Sequence, residues 1–332
     1  MSSSIFLWVK EKKAKAKEIP NNLIRKKYPK LPDFPLGEER YVWHECFFKS
    51  YSFLTRIAFS LPFQIGKGVS LKEYNSFLDR NESTGYKFNW EDKNVFIIEM
   101  ATREHKAVIG YLRERFNLPN NLVNIGQPIE VYGQPFHYNP TNCREKMAPD
   151  VAVCPSEAHV PRPRDRHPGP PPSDVNKRNH ARIICEIGNS QTIAEWETRC
   201  NTWMFQKYVR CVFGVKLDSI TTSKGQVHRS MIAKLWTRLA IEGSVLSTNT
   251  TLAGAGVHIK TWNFGTFTGC TGANLPPYQV TIPISNVFWD PPIAGGTIND
   301  TGYVPEIPEE VVGENFVIDL YGIQYWTLNT QK

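Results

Sequence analysis

From Ser70 onward the apolar positions change their period several times, and each change predicts an element. Tyr74, Phe77 and Leu78 recur at helical spacing behind Ser70-Leu71-Lys72-Glu73, a capping box, so a short helix is expected there. Val95 to Met100 is β-branched and apolar, as a strand requires. Arg103 to Phe116 sets Ala107, Val108, Tyr111, Leu112 and Phe116 on one stripe with charges opposite, an amphipathic helix. Pro128 to Val131 and Asp150 to Val153 read as strands separated by a polar loop. Arg182 to Ile187 reads as a strand, Gln191 to Gln206 as a helix and Val209 to Leu217 as a strand, an order that suggests an α/β sheet with a crossover helix. From Ser230 the pattern is strand-like throughout: Ile232 to Leu239, Val257 to Phe264, Tyr278 to Ile284 and Phe316 to Trp326. These are expected to extend the same sheet antiparallel, with a Gly/Pro-rich loop from Pro291 to Pro308.

The breaks divide the chain. Pro20, Pro29, Pro32 and Pro35 exclude regular structure early, so residues 1–40 read as a flexible arm and 41–68 as an aromatic-rich helical segment. A core is expected over 69–220 and a β-rich extension packed on it over 221–332. The proline-rich stretch from Pro155 to Ser173 predicts an irregular, exposed excursion.

Composition narrows the class. With 332 residues, 41% hydrophobic against 21% charged, the chain can bury a sizeable core. No uncharged apolar run is long enough to span a bilayer, so no membrane is expected. The apolar patch Ile5 to Val9 precedes its charges, the reverse of a secretory signal. Seven scattered cysteines, without a Cys-x-x-Cys pair, read as reduced thiols. Together these predict an intracellular protein, nuclear or cytoplasmic. The formal charge of +7 permits a polyanionic partner. Lys10, Lys12, Lys13, Arg25, Lys26 and Lys27 crowd the arm, and Arg162 and Arg164 sit in the proline-rich loop. These are the candidate nucleic-acid contacts, with a solvated basic arm as the plainer reading.

The candidate chemistry lies in two strands that each carry an embedded acid: Pro149-Asp150-Val151-Ala152-Val153 and Arg182-Ile183-Ile184-Cys185-Glu186-Ile187. A carboxylate in an apolar strand needs a cation, a donor network or a wet cleft. If the strands are neighbours, Asp150 and Glu186 converge on one cation, and oxygen ligands of this kind suit magnesium or manganese. Taken singly, each acid could instead cap a strand end or pair with a nearby arginine such as Arg182.

Pro149-Asp150, then Glu186, then a helix and a strand to Asp218 resembles the PD-(D/E)XK nuclease superfamily, and within it the Uma-type putative restriction endonuclease family. Ser70 to Tyr74 is similar to that family's opening helix, Tyr86 to Met100 to its first hairpin, and Glu104 to Ile109 to its first long helix. The resemblance implies a restriction-endonuclease-like fold: a mixed central sheet flanked by helices, extended here by C-terminal antiparallel strands. It implies Mg2+- or Mn2+-assisted hydrolysis of phosphodiester bonds, with DNA as partner. Apart from the resemblance, a homodimer is one assembly open to the chain. Asp150 and Glu186 would be metal ligands with the Ile187 carbonyl as a third, Glu99 an upstream acid, and His105 a cleft histidine. The superfamily's lysine two residues after the glutamate is replaced by Gly188. Uma-type relatives often carry it on the following helix, where Glu195, Arg199 and Trp203 share one face here. Arg199 keeps the charge but cannot deprotonate as lysine can. Lys87 also stands where relatives often carry glutamate. These departures define a second expectation, a degenerate nuclease fold that binds nucleic acid or a protein partner without cleaving.

Overall fold

The computed structural model describes residues 61–81, 85–164, 172–223, 226–238, 256–294 and 297–330. The arm with Lys10, Lys12, Lys13, Arg25, Lys26 and Lys27, and most of the aromatic-rich segment, lie outside the described residues.

Strand β1 (Phe63–Gly66) leads into helix α1 (Leu71–Arg80), whose first turn is the expected capping box. The Glu73 N–H donates to Ser70 Oγ at 3.3 Å, and the Ser70 N–H donates to the Glu73 carboxylate at 2.8 Å. Two otherwise unpaired donors are thereby satisfied, and the helix starts at that residue. Tyr74, Phe77 and Leu78 then bury against the hairpin β2 (Tyr86–Glu91) and β3 (Asn94–Met100), with Phe77 edge-on to Phe88 at 4.9 Å. β1 pairs with the other side of β3, so this hairpin belongs to a small antiparallel sheet of its own.

Helix α2 (Arg103–Asn117) is capped by Thr102 and buries Val108, Tyr111, Leu112 and Phe116. Next comes β4 (Ile129–Gly133), and after it, where a polar loop was expected, a hairpin of β5 (His137–Asn139) and β6 (Asn142–Met147). Its inward positions include His137 and Glu145, both buried, and polar residues facing inward hide a strand's period from hydropathy.

The remaining core is β7 (Val151–Pro155), β8 (Ile183–Gly188), α3 (Ile193–Met204) and β9 (Cys211–Leu217). A hairpin of β10 (Thr221–Ser223) and β11 (Gln226–His228) follows, and then β12 (Ser230–Arg238) and β13 (Val257–Gly265). Six strands form one sheet in the order β13-β12-β9-β8-β7-β4. Only β8 and β9 run parallel, because α3 carries the chain back across the sheet between them. The chain is thus mixed α/β, with a central mixed sheet flanked by helices and extra antiparallel strands.

The C-terminal expectation holds in part. β12 and β13 extend the central sheet, whereas β14 (Gln279–Pro283), the short β15 (Ile293–Ala294) with β16 (Thr297–Ile298), and β17 (Asn315–Asp319) form separate two-stranded pairs. The run expected as one strand from Phe316 to Trp326 is β17 followed by helix α4 (Leu320–Thr330). α4 packs on α2, where the Tyr111 hydroxyl donates to the Asp319 carbonyl at 3.0 Å.

The two sheet faces have different cores, and this aims the acids. Val151, Val153, Ile183, Cys185 and Ile187 pack with α2 and the C-terminal elements. Ala152, Ile184 and Val212 pack with Trp196, Cys200, Trp203 and Met204 of α3. Alternation along each strand therefore turns Asp150 and Glu186 to the same side, toward α3.

Candidate functional site

The C-terminal end of β8 and the residue preceding β7 lie side by side, joined by the Asp150 N–H donating to the Cys185 carbonyl at 3.0 Å. Asp150 and Glu186 converge there, at 0% and 1% exposure. Burying two carboxylates together is strongly unfavourable unless cations compensate. The compensating group between them is Lys87 of β2, whose ammonium donates to Asp150 Oδ2 at 2.8 Å and to Glu186 Oε2 at 2.6 Å. Lys87 is itself only 8% exposed, so water does little to solvate its charge and the two carboxylates supply that role.

Further donors hold the same oxygens. The Ile187 N–H donates to Asp150 Oδ2 at 2.7 Å. On the far oxygen of Glu186, Arg199 Nε donates at 3.1 Å and Trp203 Nε1 at 2.6 Å. A second Arg199 nitrogen donates to the Ala148 carbonyl at 2.8 Å, which ties α3 to the residue before Pro149. His105 Nε2 stands 3.4 Å from Asp150 Oδ1, a charge contact rather than a hydrogen bond.

Electrostatics follow from this geometry. Burial raises the Asp150 pKa, but Lys87 and His105 outweigh it and hold the carboxyl far below its ordinary value. Burial likewise pulls His105 down, yet Asp150 and, less strongly, Glu99 leave its pKa raised, favouring imidazolium. Arg199 is lowered by burial and raised further by Glu186 and Asp150, so it is held charged. Two carboxylates therefore face one ammonium and one guanidinium, and a protonated His105 tips the cluster positive.

Of the residues expected at the site, Asp150, Glu186, Arg199 and His105 are brought together. Glu99 has a different role. Fully buried, it accepts from the N–H groups of Met100, Asn189 and Ser190 at 3.0, 2.8 and 2.8 Å and so fastens the loop between β8 and α3. Ile187 contributes its N–H to Asp150. Arg162 is exposed, donates to the carbonyls of Lys177 and Asn176 at 2.9 and 3.0 Å and pairs with Glu157 at 3.3 Å, while Arg164 is exposed on the same loop.

Glycine at position 188, two residues after Glu186, has a steric reason. A Cβ at Gly188 would lie 2.9 Å from Trp196 Cδ1, and one at Gly214 on the adjacent strand 2.5 Å from Trp196 Cζ2. The indole lies across both glycines and donates to the Glu186 carbonyl at 3.2 Å. Sequence reasoning marks Lys87 as a departure without giving it a role, and misses the Trp203 indole as a donor. The one available signal was charge arithmetic: two buried acids and one helix arginine leave one negative charge unmatched.

A magnesium or manganese ion shared by Asp150 and Glu186 needs the position that the Lys87 ammonium holds, and it would face two further cationic groups. The residues present therefore do not fit that ion. Among the described residues no three His, Cys, Asp or Glu side chains gather so as to hold a metal, and no helix is long and apolar enough to cross a membrane. No protein-family model matches this chain, and a search of curated proteins finds no match.

Proposed function

We propose that this chain is a nuclease-like core whose acid pair is neutralised by an internal ammonium, and that it acts by binding nucleic acid, DNA in the first place, rather than by cleaving it. The observation that carries the reading is Lys87 Nζ at 2.8 and 2.6 Å from the two carboxylates, in the place a catalytic metal would need. Hydrolysis of a phosphodiester in such a fold rests on a metal that polarises a phosphoryl oxygen and acidifies a water. A carboxylate pair engaged by Lys87, Arg199, Trp203 and the Ile187 N–H offers that metal no shared position. The net charge of +7 supports a polyanionic partner.

A metal-dependent endodeoxyribonuclease is the second reading. It is favoured by one observation, that Asp150 and Glu186 do meet on the same cation, so that displacement of Lys87 would expose an oxygen pair. Incubating the full chain with supercoiled plasmid and Mg2+ or Mn2+ separates the two. The binding reading expects no nicking, together with a gel shift of a labelled duplex that weakens steeply as salt rises. Metal-dependent nicking that Asp150→Ala and Glu186→Ala both abolish would overturn it in favour of the enzyme.

A further inference from the structure

We infer that β13 is a dimerisation edge, pairing antiparallel across a two-fold axis with β13 of a second copy of this chain and joining two central sheets into one. β13 is the terminal strand of the six-stranded sheet, nine residues long, in unbroken register with β12 from Arg238↔Val257 to Ser230↔Gly265. Among the described residues nothing pairs with its outer side.

The hydrogen-bond phase identifies what that outer side offers. The Thr266 N–H donates to the Arg229 carbonyl, and the Arg238 N–H to the carbonyl of Arg210, the residue just before β9 on the other side of β12. Alternation then directs the backbone of His258, Lys260, Trp262 and Phe264 toward β12, and that of Ile259, Thr261 and Asn263 outward. Ile259, Thr261 and Asn263 are exposed.

Sheet edges in single-chain proteins are normally blunted by shortness, proline, bulges or free lysines. β13 has no proline and no bulge, and its single lysine, Lys260, is drawn back over the Trp262 ring at 4.8 Å. The opposite edge, β4, is only five residues long.

The sequence of β13 is compatible with itself in one register. An axis through Thr261 sets Thr261 against Thr261 and Ile259 against Asn263, all through outward-facing backbone groups. It also places Lys260 beside Trp262 of the other copy, whereas an axis through Lys260 would oppose two ammonium groups. Apolar surface for the dimer to cover lies close by: Ile259 is 44% exposed, and α4, which packs on β13, carries Tyr325 and Trp326 at 51% and 45%.

Sedimentation velocity and light scattering on the full chain over a concentration series test this. The expected mass is twice the 38.0 kDa of one chain. I259K/N263K sets lysine against lysine across the axis and should give the single-chain mass, and I259E/N263K, which pairs opposite charges in the same register, should restore the dimer. Thr261→Pro removes an outward N–H that no strand among the described residues uses. With its circular dichroism spectrum unchanged it should also be monomeric. A wild-type chain of single mass at every concentration, or a dimer that survives both I259K/N263K and Thr261→Pro, would overturn the proposal.

Discussion

Lys87 is one ammonium serving two buried carboxylates, and removing it strands both. Lys87→Ala should lower unfolding free energy by about 3–5 kcal/mol, the cost of an uncompensated buried charge, measured by urea denaturation. A loss of a few tenths of that size would mean that Arg199 and His105 suffice. The exclusion at Gly188 is equally local. Gly188→Lys would drive its Cβ into the Trp196 indole at 2.9 Å and should cost about 1–3 kcal/mol, as overpacking does, without introducing plasmid cleavage.

A pH signature belongs to His137, which is fully buried and whose pKa is lowered by burial to about 4. In the unfolded chain its pKa is about 6.5, so below that pH the unfolded state gains a proton the folded state refuses. Its contribution is present above 6.5 and is lost as pH falls toward 4, by on the order of 3 kcal/mol. His105, whose pKa is raised, acts with the opposite sign, stabilising at low pH and losing that contribution as pH rises. Thermal melts of wild type and His137→Gln between these limits should show a steeper acid-side decline in the wild type, and parallel curves would show that His137 has no part in it.

Among the elements, α3 does most to assemble the site, because Arg199 and Trp203 stand one turn apart on the face turned to Glu186. Its start is fixed by Thr192, which accepts the Glu195 N–H at 3.2 Å and receives the Glu195 carboxylate on its own N–H at 2.8 Å. Thr192→Ala should therefore cost about 1 kcal/mol in the same urea titration. α2 and α3 were legible because their apolar residues keep a helical period, and β8 and β9 because short, continuous apolar runs match strands buried on both faces. β5 and β6 were not, since Glu145 faces inward and breaks the alternation. β17 and α4 merged into one expected strand because Phe316 to Trp326 is apolar apart from Asp319, Gly322 and Gln324, and these do not mark a change of period at Asp319. The acids of the site could be read from their apolar flanks. Their cation could not, because Lys87 lies 63 and 99 residues away in a hairpin belonging to a different sheet.

For the whole molecule, the proposed binding function makes a prediction about salt. Under it, DNA affinity should fall linearly on a log–log plot against salt and should be little changed by Asp150→Asn where the fold is retained, because phosphate contacts rather than the buried cluster would carry it. Calorimetric titration of Mn2+ into wild type and Lys87→Ala tests whether Lys87 stands in for a metal. No binding is expected at the acid pair of the wild type, and in Lys87→Ala one site per chain that disappears in Lys87→Ala/Glu186→Gln. Mn2+ binding to the wild type that Glu186→Gln abolishes, with Lys87 in place, would contradict it.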